Sequence, residues 1–168
     1  MNDKSIFEVS IGKRVLKNEI TNDGSGIPVY SANVFEPFGK INKTILEKFE
    51  TASIIWGIDG DWMVNIIPAN QPFYPTDHCG VIRVKGEYLS LHYIASELLA
   101  IGKEKRFSRT FRASTERIKD IRIQIPSEQL QIEFDKKVEG ILSKINVIET
   151  DLSLVDNEKK QLLKKYLE

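Results

Sequence analysis

Phe134-Asp135-Lys136-Lys137-Val138-Glu139-Gly140-Ile141-Leu142-Ser143-Lys144-Ile145 opens an apolar ladder that continues through Ile148, Leu152, Val155, Leu162 and Tyr166. The steps alternate four and three, and Lys159 alone breaks the series. Between Ser127 and Glu168 there is no proline, and Gly140 is the one glycine. The pattern predicts a single helix of roughly 40 residues, about 60 Å long at 1.5 Å per residue. A globular domain built from the preceding residues is too small to cover such a rod. Its stripe (Phe134, Val138, Ile141, Ile145, Ile148, Leu152, Val155, Leu162, Tyr166) therefore needs a second long helix, which the chain does not contain. The chain reads as a head on a stalk, and the stalk is built to pair.

With 168 residues the chain has room for one domain and an extension. The expected division is a head over 1–126 and a pairing helix over 127–168. Lys plus Arg and Asp plus Glu are both 24, so the formal charge is zero. The balance is uneven along the chain. Lys103 to Arg122 holds eight basic residues against Glu104, Glu116 and Asp120. A local basic segment in a neutral protein points to one anionic contact surface. Cys79 is the one cysteine, which excludes a disulfide framework and a multi-cysteine metal site, and it is expected to be a small buried residue. Neither a signal-peptide core nor a run of ~20 apolar residues occurs, so the expected setting is cytoplasmic, with no membrane contact.

Along the head, residues 6–20 open with a strand or a short helix, and Asn22-Asp23-Gly24-Ser25-Gly26 is a turn. Ile27 to Tyr30 is a short extended piece that Pro28 should confine to a sheet edge. Thr44 to Phe49 suits a short helix or strand. Ala52 to Trp56 and Trp62 to Ile67, joined by a Gly57-x-x-Gly60 turn, predict a hairpin. Residues 68–77, with three prolines, should be irregular. Cys79 to Val84 reads as a strand. Leu89 to Ile101 has helical spacing, with Gly102 as its C-cap. A basic loop follows. Ile118, Ile121, Ile123 and Ile125 then predict a strand stopped by Pro126, with Ser127 capping the long helix. The fold class is α+β: a β-rich head followed by one long coiled-coil helix.

Catalytic signatures fail when tested. Asn70-Gln71-Pro72-Phe73 approaches an amino-methyltransferase motif, but Gln71 spoils it and no Gly-rich cofactor loop is present. Asp77 with Arg83-Val84-Lys85 approaches a nuclease skeleton, but Arg83 stands where a second metal-binding acid is needed. His78 and His92 lack metal-ligand spacing and read as surface or satisfied core histidines. No catalytic residue, cofactor or metal site is expected. Recognition remains. Phe107-Ser108-Arg109-Thr110-Phe111-Arg112 interleaves arginine, aromatic and hydroxyl side chains, the types that fork onto guanine or hold phosphate. Tyr30-Ser31-Ala32-Asn33 with Lys40 to Lys43 makes a second polar, basic loop, and the turn from Asp59 to Trp62 a third. Candidate nucleic-acid contacts are therefore Tyr30, Ser31, Asn33, Lys40, Lys43, Asp59, Trp62, Lys105, Arg106, Arg109, Thr110 and Arg112. The competing class is an adaptor, a coiled-coil dimer whose head binds a protein.

Three stretches carry a family likeness. They are Ile27-Pro28-Val29-Tyr30-Ser31-Ala32-Asn33; Ala52 to Gly60 with Trp62 to Val64 and Phe73-Tyr74-Pro75-Thr76-Asp77; and Ile118 through Ile125-Pro126-Ser127-Glu128-Gln129 to Ile132. In order and spacing the chain resembles half of a DNA specificity (S) subunit of type I restriction–modification systems, one target recognition domain plus its spacer helix. The resemblance implies a subunit that binds double-stranded DNA without cutting or methylating it. It implies docking with DNA adenine methyltransferase (modification) subunits and, through them, with a restriction subunit. Complete subunits of that family carry two recognition domains and two antiparallel helices that set the gap in a bipartite site. This chain has one of each, so it is a half-size subunit or a piece of a longer one. Its stripe favours a homodimer through antiparallel C-terminal helices.

Overall fold

The computed structural model describes residues 1–85 and 89–167. The head holds two sheets. Strands β1 (Phe7–Ile11), β7 (Cys79–Val84), β4 (Ser53–Gly57) and β5 (Val64–Ile67) form an antiparallel sheet in the order β1-β7-β4-β5. Strands β3 (Gly39–Ile41), β2 (Ile27–Tyr30) and β6 (Tyr74–Pro75) form a smaller one in the order β3-β2-β6. Helix α1 (Leu91–Glu104), short α2 (Thr115–Lys119) and long α3 (Glu128–Leu167) follow.

The large sheet is covered on both faces, so β4 reads as a continuous apolar run. Ile54 and Trp56 face α1 and α2 and pack with Ile82, Ile94, Leu98 and Ile118. Ile55 faces the other way, with Ile67, Val81, Phe73 and Cys79. Cys79 is fully enclosed, and burial pushes its thiol well above the usual range. Trp56 lies across its register partner Gly80, where a Cβ would come 2.1 Å from the indole ring. The indole N–H donates to Ala113 O at 2.8 Å, so this large side chain buries no orphan donor.

The β4–β5 hairpin, β7 and the long helix agree with the sequence. Several expectations do not. β2 is the central strand of the small sheet. Pro28 is tolerated there because β6 pairs only with Val29 and Tyr30. Lys40 lies within a strand, β3, and Thr44 to Phe49 forms neither helix nor strand. Gly102 is inside α1. Trp62 lies against it, and a Cβ there would meet the indole at 2.2 Å. α1 instead stops three residues further on. Arg106 is left-handed (φ 59°), Arg106 N–H donates to Lys103 O, and Phe107 N–H donates to Gly102 O. That is a Schellman stop with arginine in the glycine position. Finally, the Ile118–Ile125 strand is absent. Ser114 caps α2 by accepting from Arg117 N–H, which places Ile118 and Ile121 in the core three residues apart. Residues 121–127 then run irregularly without pairing.

α3 starts at a polar clamp. Ser90, the N-cap of α1, accepts from Tyr93 N–H; its own N–H donates to Gln131 Oε1 at 2.9 Å and its hydroxyl to Asp135. Gln131 Nε2 donates to Pro126 O, and Phe134 meets Tyr93 edge-to-face at 5.7 Å. Phe134 thus packs on its own head. From Ile141 onward the stripe is bare: Ile145 is 42% exposed, Leu152 60% and Leu162 56%. No described helix is long and apolar enough to cross a membrane.

Candidate nucleic-acid interface

β2 and β4 both end, and β7 begins, at one edge of the head. There the three loops singled out from the sequence meet. Ala32 presses on the hairpin turn, and a Cβ on Gly57 would lie 2.3 Å from Ala32 O. Gly60, at φ 91°, stands beside the Ala32 methyl. Ile58 N–H donates to His78 O and Ala113 N–H to Ile58 O, joining the turn to the segment before β7 and to the basic loop. Thr76 N–H donates to Tyr30 O and its hydroxyl to Ser31 Oγ, closing the ring. Residues far apart in sequence therefore form one continuous rim.

Within that rim the predicted residues differ in how free they are. Arg109 and Thr110 are exposed at the tip of a turn closed by Ser108 N–H to Phe111 O and by Phe111 N–H to Ser108 Oγ. Lys105 and Arg106 are exposed at the stop of α1. Arg112 extends its guanidinium to Asp59 at 3.4 Å. Asp59 also accepts from His78 Nδ1 at 2.8 Å. Tyr30 is half-buried against Phe73, and burial raises its phenol above the ordinary value. Asn33 accepts from the N–H groups of Phe35 and Glu36, so it builds the turn.

Two candidates face elsewhere. Trp62 turns inward: its indole N–H donates to Leu99 O at 2.9 Å and its ring meets Phe107 edge-on at 5.1 Å. The large apolar ring is better buried on Gly102 than held in water. Lys43 lies past the opposite end of β3, paired with Glu19 and over the Tyr74 ring. Glu19 accepts from Leu16 N–H and from Lys43, which together hold its carboxyl below the usual range. Lys40 is exposed on β3.

The structure also presents side chains that the sequence reading left out. Phe35 and Phe38 stand 58% and 55% exposed on the loop after β2. Two phenylalanines in the Phe35-Glu36-Pro37-Phe38 turn were the available signal, since a β–β connection gives them no core to enter. Arg117 lies 4.0 Å over the Phe111 ring, which stacks on Phe107, and it donates to Arg112 O. It braces the basic loop from α2, a helix the sequence did not reveal.

A β-rich head that gathers three loops on one rim is carried on a long helix with a bare apolar stripe. Residues 2–152 match the family model described as the type I restriction modification DNA specificity domain, and the chain belongs to that family. The match runs past the head into α3. The fold is similar to the crystal structure of a type I restriction–modification S subunit from M. genitalium. That match has a TM-score of 0.65 and 23% identity and covers 95% of this chain and 43% of that one. It is also similar to the HsdS subunit from Thermoanaerobacter tengcongensis, with a TM-score of 0.63 and 11% identity, covering 84% of this chain and 36% of that one. The chain thus spans less than half the length of either protein. Among curated proteins none matches it.

Proposed function

We propose that this protein is a non-catalytic DNA-recognition subunit that directs adenine methylation and restriction to a bipartite site, acting as a dimer of half-size subunits. One observation carries the reading: three loops, chosen for their chemistry alone, converge on a single rim with Arg106, Arg109 and Arg112 exposed on it. Arg109, Thr110 and Arg112 read bases. Lys105, Lys40 and Arg106 act mainly on phosphates. The functional division is the recognition head, 1–126, and the pairing helix, 127–168. Modification subunits dock on the stalk and its junction with the head, and the protein works in the cytoplasm.

The exposed stripe from Ile141 to Tyr166 supports pairing. In an antiparallel pair, a-position residues face d-position residues. The register with the most filled layers centres near residue 150 and sets Leu152 against Ile148 and Leu162 against Val138. Such a dimer is two-fold symmetric, so the target is an interrupted palindrome.

The test is selection of duplexes from a random pool, followed by affinity measurements at two salt concentrations. An interrupted palindrome should emerge. Arg109→Ala should cost about 1–3 kcal/mol on that site and relax one position, while Lys105→Ala should weaken all duplexes alike. A monomer in sedimentation at micromolar concentration overturns the dimer of half-size subunits, and a pool that never enriches overturns DNA recognition and leaves the adaptor class.

A further inference from the structure

We propose that Asp59 is a positioning residue rather than a base-reading one, and that His78 is an additional DNA contact which it holds in place. The inference rests on the DNA-recognition reading above. Asp59 Oδ2 lies 2.8 Å from His78 Nδ1 and 3.4 Å from Arg112 Nη2, and Oδ1 lies 2.9 Å from the same ring nitrogen. The three residues come from three segments: the β4–β5 turn, the stretch before β7 and the basic loop. One carboxylate therefore ties together side chains that no shared element aligns. Asp59 is also the recessed member, its side chain 23% exposed against 45% for His78 and 52% for Arg112. An acceptor inside and donor groups outside is the arrangement of a support. A carboxylate presented outward on this rim would be repelled by phosphate, whereas one that accepts from a guanidinium and an imidazole fixes both.

Chemistry then sets the role of His78. A carboxylate only accepts, so Nδ1 carries a proton and Nε2 forms the outer edge of the ring. The charged groups facing the ring are Asp59 at Nδ1 and Asp77, whose Oδ1 is 3.9 Å from Nε2, with Arg112 beyond Asp59. The Nε2 edge, which Asp59 does not hold, is the part of His78 offered to the DNA.

The experiment uses the full chain and the duplex enriched from the random pool, beside a scrambled duplex. His78→Ala should weaken binding to the enriched duplex about tenfold with an unchanged thermal melt. Asp59→Asn should keep or raise affinity for the scrambled duplex while discrimination falls about tenfold. Combining Asp59→Asn with Arg112→Ala should cost little more discrimination than Arg112→Ala alone, because both act through one guanidinium. If wild type discriminates but Asp59→Asn discriminates equally well, or His78→Ala binds the enriched duplex as wild type does, this inference fails and the DNA reading stands. If wild type enriches no sequence, both fall. Loss of both duplexes in equal measure by Asp59→Asn, with an unchanged thermal melt, also overturns it.

Discussion

Two residues at the end of α1 show how local rules are overridden. Gly102 is a helix-interior glycine, a position where alanine is favoured by about 1 kcal/mol on propensity alone. The Trp62 ring occupies the space where its Cβ would be. Gly102→Ala should therefore lower stability by about 1–2 kcal/mol in urea unfolding, overpacking exceeding propensity. Arg106 shows the opposite conflict. It occupies the left-handed stop of the helix, where glycine is favoured. Arg106→Gly should raise stability by about 1 kcal/mol and weaken DNA binding, a split that urea melts and anisotropy together would display. The sequence offered Gly102 as the stop because glycine usually is one. Only packing against Trp62 distinguishes a glycine needed for space from one needed for its φ.

At the scale of elements, strongly periodic or fully buried segments were legible. β4, β7, α1 and α3 each declare a period or an uninterrupted apolar run. The misjudged pieces were short. α2 has five residues and too few turns for a periodic signal, so Ile118 to Ile125 looked like alternation. β2 became central because a two-residue partner, β6, arrived from a proline-containing stretch. α3 carries the most direct prediction. Ile148 is 58% exposed and faces Leu152 in the proposed antiparallel register. Ile148→Asp should dissociate the dimer in analytical ultracentrifugation. It should also reduce helical ellipticity, because an isolated amphipathic helix is marginal in water. The head, whose core does not involve Ile148, should keep its thermal transition.

For the whole molecule, the length of the rod sets the distance between two heads in the proposed dimer. Inserting one heptad between Ile148 and Leu152 keeps the stripe in phase and lengthens the overlap by about 10.5 Å. At about 3.4 Å per base pair, the gap in the selected site should widen by about three base pairs, read directly from enriched duplexes. A two-residue insertion, which turns the stripe by about 200°, should instead abolish pairing. The sequence by itself determined the parts: the rod, its unpartnered stripe, the buried hairpin and the chemistry of the three loops. Each of these is a local pattern of period or composition. Tertiary structure alone decided that the loops share one rim, that Trp62 and Lys43 turn away from it, and that Asp59 joins Arg112 to His78. Those outcomes depend on which distant segments the two sheets bring side by side, and sequence separation carries no record of that.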